Sequence, residues 1–498
     1  MPLQAVAAAA TLLAVVPHGN RLELRTDHGS AELLWVSPGT FRFRRVLNGP
    51  LPEISWPERA AVSYETAEVS DAFKLRSHLI EITIRRQDLL LRVDRADGTP
   101  LLQDLSEARS EAAGVTWERR SPAGAEFYGL GPRSEPAYGL QGRSLRAERP
   151  FLLSTAGYGE FHLGRASYHF DFTRPDRYRI QGPAIDYCFY FGTTPKEILE
   201  EHHAVEDAPA PWPVSSERFP SWAGLRTSLM RILQGGISGA TTPVFDLSLY
   251  ATAPDELKTR ARQLGSLVAQ VRPGTVGRSG FREQLESFFG SYAAEAQDRG
   301  FPVWHPLPFQ FPHDPESARR IDEFMLGDEL LVAPFLDPGD RRSVYLPPGN
   351  WTNLETNAET RGPTTKEITT RSLPVWAKNG SIVPLDSRGS LALHYFPKSG
   401  GEFFLLEDDP SDYSQVHASP ALDFYRLQIE SKKERDYQWV VHHVEKPAAV
   451  GFEDAKYREV PQQAQLGDRS WWWDAALKNL HVRVRVKAGE DCIVNVDW

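Results

Sequence analysis

Cysteine is nearly absent. Cys188 and Cys492 are the only two in 498 residues, which excludes a disulfide scaffold and a Cys-rich zinc site. Two buried thiols are expected in place of a long-range bridge. An excess of basic charge is also lacking. The formal charge is −10, so the chain does not carry the positive surface that nucleic acids require, and no nucleic-acid partner is expected. The apolar stretch Ala5 to Val16 is too short for the ~20 residues of a spanning helix, so no membrane partner is expected. No Lys or Arg precedes Arg21, so the stretch also lacks the basic start of a secretory signal. It reads as a buried first strand of a cytoplasmic protein. The alternative is a secreted or periplasmic protein in which the stretch is a signal remnant. No phosphate-binding loop or dinucleotide fingerprint occurs, and no cofactor is expected. The adjacent pairs His202-His203 and His442-His443 lack metal-ligand spacing, and no metal is expected. Glu407-Asp408-Asp409 lacks the regular oxygen ligands of a calcium loop and reads as a hairpin tip.

What is present is ordinary for a folded, water-soluble chain of about three domains at ~150 residues each. Aromatic residues make up 11%, with 13 Trp and 16 Tyr. Such rings stack on sugar faces and fill β-rich cores equally well. From about residue 12 to 205 the chain alternates apolar and polar positions at period two. "HGNRLELRTDHGSAELLWV" and "SHLIEITIRRQDLLLRVDR" are the clearest cases, with Asp88 at the turn of the second. This pattern predicts an antiparallel β-sandwich. "TPKEILEEHHAV" predicts a helix with Thr194 as N-cap, Pro195 at the first helical position and Glu197 three residues on.

"EDAPAPWPVSSERFP" (206–220) has the composition of a linker. After it the texture alternates: a helix in "SWAGLRTSLMRILQGG" stopped at Gly235 and Gly236, a strand in "ATTPVFDLSLY", and a helix in "APDELKTRARQLGSL". A strand in "VAQVRPG" follows, then a helix ending at Gly300 and the extended "FPVWHPLPFQFP". Such βα units belong to a parallel sheet, yet they cover about 120 residues against the ~250 of a complete barrel. The remainder is β again, with a second joint near "FPKSGGEFF". The expected domains are 1–205, 206–325, 326–398 and 399–498.

"FYGLGPRSEP", "PFLLSTAGYGEF", "DELKTRARQLG", the long run Gly300 to Trp351, "LPVWAKNGSIVPL" and "FFLLEDD" follow one another in an order that resembles glycoside hydrolase family 31. These are retaining α-glucosidases, α-xylosidases and their relatives. Ala261 stands where the family's helix carries Trp. The resemblance implies a multidomain, predominantly β protein. It has a galactose-mutarotase-like N-terminal β-sandwich, a truncated (β/α) barrel remnant and two C-terminal β-sandwich domains.

The family's nucleophile is an Asp in a Trp-x-Asp-Met-Asn-Glu run, and no such run occurs in this chain. The linker stands where the nucleophile strand and a substrate-gripping Arg should lie. Counting back from Trp222 aligns Glu217 with the family's acid/base and Ser216 with the Gly before it. Asp246 aligns with an active-site wall residue. Arg272 remains from the family's Arg-x-His, with Gly274 in place of the His. A retaining mechanism needs two carboxyl groups about 5–5.5 Å apart. The resemblance therefore implies a degenerate member without hydrolytic activity, whose role is carbohydrate binding or scaffolding. Glu217, Asp246, Arg272 and Trp222 are the candidate site residues, each with a bland alternative: a solvated loop acid, a strand-end cap, an ion-pair partner and a helix-packing anchor. One alternative function is an active α-glycosidase with a site rebuilt on Glu217 and Asp246. Another is a non-enzymatic subunit docking a partner through the open barrel edge. The expected ligand is an α-linked saccharide, and the expected macromolecular partner is a second copy or another protein covering the remnant.

Overall fold

The computed structural model describes residues 10–54, 56–57, 59–112, 114–133, 137–147, 149–163, 167–205, 212–213, 220–241, 243–268, 270–272, 280–387, 389–409 and 412–498. The chain divides into two units. One comprises Met1–Arg133, Ala137–Ala210 and Ile237–Gly239; the other comprises Ser134–Pro136, Pro211–Gly236 and Ala240–Trp498.

Period-two patterning builds the first unit. In strand Ile80–Arg85 the three isoleucines are buried, while Glu81 and Thr83 between them are half-exposed. The chain reverses at Asp88 and Leu89, both at positive φ, and returns as Leu91–Arg95. Repetition of this unit yields an eight-stranded and a nine-stranded antiparallel sheet among the described residues. The inward faces of both supply one apolar core that includes Trp35, Phe41, Ile82, Trp117, Tyr158 and Phe189. Each such side chain contributes on the order of 1.5–3 kcal/mol by leaving water. This is the predicted β-rich N-terminal architecture.

The first strand departs from expectation. Leu12–His18 has one partner strand, Arg21–Thr26, at the margin of its sheet, and the Leu12 N–H also donates to the Arg86 carbonyl at 2.7 Å. Leu12 is buried, but Leu13 is 60% exposed. Of the seven residues only Leu12 is buried, so this segment is a largely exposed edge strand and not a buried one. Residues 1–9 lie outside the described residues.

Helix Pro195–Val205 starts as its sequence dictates. Thr194 Oγ1 accepts from the Glu197 N–H at 3.3 Å, and the Glu197 carboxylate accepts from the Thr193 N–H at 2.6 Å. Its buried face is Ile198, Leu199 and His202.

In the second unit, strands Trp212–Pro213, Pro243–Asp246 and Gln270–Arg272 form a three-stranded parallel sheet. Helices Trp222–Ile237 and Asp255–Gly265 provide the two crossovers. The first helix runs past the glycine pair to Ile237, so Gly235 and Gly236 do not stop it. Close packing explains Gly236: a Cβ there would come within 2.9 Å of the Trp304 carbonyl. The predicted helix ending at Gly300 is two segments, Gly280–Gln284 and Glu286–Arg299. The "extended" stretch contains one helical turn, Leu307–Gln310, entered through Pro306 and carrying Pro308; proline's fixed φ suits the start of a helix as well as a strand.

Three six-stranded sheets follow. The first draws on Trp304–Pro306, Phe324–Leu326 and Arg341–Asn353, with a core at Met325, Leu331, Trp351 and Trp376. In the second, strand Ser390–Tyr395 pairs parallel with Arg435–Val441, so the expected boundary at 398/399 cuts through one sheet. Backbone pairing across 40 residues of sequence leaves no mark in local texture. In the third, Asp491–Asp497 lies inside the sheet, hydrogen-bonded to Phe424–Glu430 on one side and Ala449–Phe452 on the other.

Candidate functional site

The parallel sheet places two candidate residues side by side. Asp246 ends one strand and Arg272 ends the next, and they are register partners. Asp246 is half-buried. Its Oδ1 accepts from the Ser248 N–H at 2.9 Å and from the Ser248 hydroxyl at 2.5 Å. The carboxylate thereby caps the single 3₁₀ turn Leu247–Tyr250, which follows from the Asp-x-Ser spacing.

Trp222 opens helix Trp222–Ile237 and is half-buried. Ser221 caps that helix through its Oγ, which accepts from Gly224 N–H at 2.9 Å. Glu217, Ser216 and Gly274 lie outside the described residues. Of the four candidates, the structure therefore pairs the backbones of Asp246 and Arg272 and seats Trp222 at a helix start.

The helix that resembles the family's is anchored by Arg260. Its guanidinium covers the Phe335 ring at 4.0 Å and donates to the carbonyls of Arg371 and Gly339, each at 2.9 Å. Ala261, where the family has Trp, is wholly buried. A nearby cleft of about 380 Å³ is lined by Arg226, Arg320, Asp322, Asp337, Arg341 and Arg342 among others. Its charges are already matched: Arg226 binds Asp337 at 2.6 Å, and Arg342 binds Asp322 at 2.8 Å. The adjacent Glu323 is fully buried, and burial with Asp322 beside it pushes its carboxyl up to about 8. Arg342 opposes that rise, its Nη2 donating to Oε1 at 3.4 Å, and Oε1 also accepts from Tyr345 N–H at 2.9 Å.

A buried charge cluster in the first unit was not anticipated. Inside the sandwich, Arg119 is 1% and Glu160 0% exposed. The guanidinium donates to Glu160 Oε2 and, at 3.0 Å, to Asp104. Tyr178 donates its hydroxyl to Glu160 Oε1 at 2.7 Å, and His162 Nε2 lies 3.1 Å from Oε2. Burial opposes the carboxylate, but Arg119, His162 and Tyr178 together hold Glu160 down at about 2. Burial pushes His162 down as well. The sequence does carry a signal for this cluster. Trp117 and Arg119 share one parity, as do Tyr158, Glu160 and His162, so the same alternation that buries the aromatics buries the charges.

The other residues set aside on sequence have structural partners. His202 Nδ1 lies 3.1 Å from the Tyr190 hydroxyl and Nε2 lies 3.2 Å from Arg149. His442 Nε2 is 2.9 Å from Nδ1 of His394, a pairing no sequence spacing suggested. Burial lowers both, His394 to about 4. Cys188 is buried and Cys492 half-buried, both free. Glu407 and Asp408 stand at the end of a strand and bind Arg435 and Lys433.

Residues 300–383 match the family described as Glycosyl hydrolase family 31 C-terminal domain. The chain is 27% identical over 290 residues to Alpha-glucosidase 2 of Bacillus thermoamyloliquefaciens, an alignment covering 48% of this chain and 36% of that protein. It is 38% identical over 105 residues to an alpha-glucosidase of Saccharolobus solfataricus, covering 21% of this chain and 15% of that one. The chain thus spans about a third of the first relative and less of the second. Among solved structures, it is similar to the Flavobacterium johnsoniae GH31 dextranase complexed with glucose. The TM-score is 0.83 at 14% identity, over 99% of this chain and 100% of that one. The cycloalternan-forming enzyme of Listeria monocytogenes in complex with pentasaccharide substrate gives a TM-score of 0.82 at 13% identity. That match covers 98% of this chain and 77% of the other. At such identities the likeness is one of fold.

Proposed function

On the premise that the chain is a member of glycoside hydrolase family 31, which the C-terminal match, the α-glucosidase relatives and the shared fold support, we propose that it binds α-linked saccharides without hydrolysing them. The observation that carries this reading is the shortness of the parallel sheet. Only 16 residues, 206–221, separate helix Pro195–Val205 from helix Trp222–Ile237. Those residues do not contain the family's nucleophile run. A covalent glycosyl-enzyme route requires a carboxylate on the sugar face opposite the acid, and the segment that would supply it is replaced by the Pro-rich linker. Asp246, the one acid in the sheet's strands among the described residues, has Oδ1 committed to Ser248. What general acid catalysis alone supplies, roughly 10²–10⁴-fold, leaves a glycosidic bond intact on a biological timescale.

The test is turnover of an aryl α-glucoside and an aryl α-xyloside, with Glu217→Gln and Asp246→Asn as controls. No release of the aryl group above the buffer rate is expected for any of the three proteins. Release that disappears in Glu217→Gln would establish an active α-glycosidase instead.

A further inference from the structure

The first unit carries a cleft of about 720 Å³, within the ~300–1,000 Å³ of small-molecule sites. It lies far in sequence from Asp246. Its floor is the outer face of the eight-stranded sheet, where Arg21, Glu32 and Arg44 come from three consecutive strands. Glu32 is 4% exposed and holds both arginines, accepting from Arg21 Nε at 2.7 Å and from Arg44 Nη1. Arg44 also donates to the Pro52 carbonyl at 2.7 Å. The three side chains are therefore fixed before any ligand arrives.

The facing wall belongs to the irregular segment between strands Thr40–Val46 and Glu65–Glu68 and carries Trp56 and Arg59. The Trp56 ring lies against the Arg42 guanidinium at 4.6 Å. Arg59 Nη2 donates to the Ala204 carbonyl at 2.6 Å. Two N–H donors on the facing wall have no acceptor: Trp56 Nε1 and Arg59 Nε. Each unmet buried donor costs about 1–3 kcal/mol. Trp56 and Arg59 stand on a segment with no strand ladder to hold it, so both can turn toward an incoming oxygen.

The geometry points to a saccharide-binding site in this cleft, formed by Trp56, Arg59 and the Arg21–Glu32–Arg44 row and separate from the parallel sheet. The unmet valences are all donors, so the ligand must be rich in oxygen acceptors. Among the lining groups, Arg21, Arg44 and Arg59 face Glu32 and Glu53, a near balance that gives an anion little advantage over a polyol. Planar indole and guanidinium groups offer a pyranose both a flat face and paired N–H donors. The choice of a neutral α-glucan oligosaccharide as ligand rests on the family 31 reading; the cleft and its unmet donors do not.

The experiment is calorimetric titration of the full chain with maltotriose, isomaltotriose and, as the acidic arm, digalacturonate. Trp56→Leu and Arg59→Met lie outside the sheets and leave the fold intact, which circular dichroism checks. Wild-type protein should bind at least one neutral trisaccharide, each variant should weaken that binding about tenfold or more, and Asp246→Asn should leave it unchanged. The proposal is overturned if neither neutral sugar binds, if digalacturonate alone binds, or if binding survives in Trp56→Leu but is lost in Asp246→Asn. Aryl glycoside turnover is read separately, so hydrolysis would sink the proposed loss of activity without touching this site.

Discussion

Arg119 and Glu160 carry opposite charges in a place where neither touches water, and each keeps the other charged. Removing the cation while leaving the anion should be far worse than losing a surface pair. Arg119→Met is expected to destabilise the first unit by about 3–5 kcal/mol, read as a lower midpoint in urea unfolding followed by aromatic circular dichroism. Acid acts on the same cluster. The folded pKa of Glu160, about 2, lies below its ordinary 4.5. The stability it contributes is therefore fully present above pH 4.5 and is lost as the pH falls toward 2. Glu323 works in the opposite sense. Its folded pKa is raised to about 8, so the fold holds a proton that the unfolded chain releases above pH 4.5, and stability is lost as the pH rises toward 8. Glu323→Gln, a neutral isostere, should leave stability nearly unchanged at pH 4.5 and raise it at pH 8, measured by thermal unfolding at the two pH values.

At the scale of elements, turns and caps decide where chain segments stop. Gly300 ends helix Glu286–Arg299 in the left-handed region, at φ 75°, as its sequence predicted. Gly239 has a stricter task. It sits at φ 84°, and a Cβ there would lie 2.9 Å from His202 Cδ2. Beside it, Ser238 Oγ accepts from Gly131 N–H at 3.0 Å. Gly239→Ala should therefore cost about 1–2 kcal/mol for the backbone and also push His202 off Tyr190; a lower melting temperature checks this. The Thr194–Glu197 cap, the Asp88 turn and the Gly300 stop were legible because each depends on residues within four positions of one another. The His394–His442 contact and the pairing of Ser390–Tyr395 with Arg435–Val441 were not, because they join residues 40 or more positions apart. The buried charges were legible in parity but not in consequence. Period two says that Arg119 and Glu160 point inward, yet only the fold shows that they meet.

For the molecule as a whole, the sheets differ in how well they are supported. The sandwich strand that carries Phe41 and Phe43 pairs over six residues on one side and seven on the other, within a shared apolar core, whereas the parallel sheet pairs over two or three. Short parallel ladders open more readily than long antiparallel ones. Amides of Val244 and Phe245 should exchange with deuterium well before those of Phe41 and Phe43, which peptide-resolved mass spectrometry would resolve. At this scale the predominantly β class and the order of textures were readable from periodicity. The candidate site was readable only in outline: Asp246 and Arg272 do fall on neighbouring strands, but the cap that occupies Asp246 became visible only with the 3₁₀ turn. The last sheet has a further consequence for synthesis. Because residues 491–497 form an interior strand between 424–430 and 449–452, a nascent chain still holding them in the ribosome cannot close that sheet. Strand 424–430 must wait with one edge bare, as a site for chaperone capture or mispairing, until translation has passed residue 497.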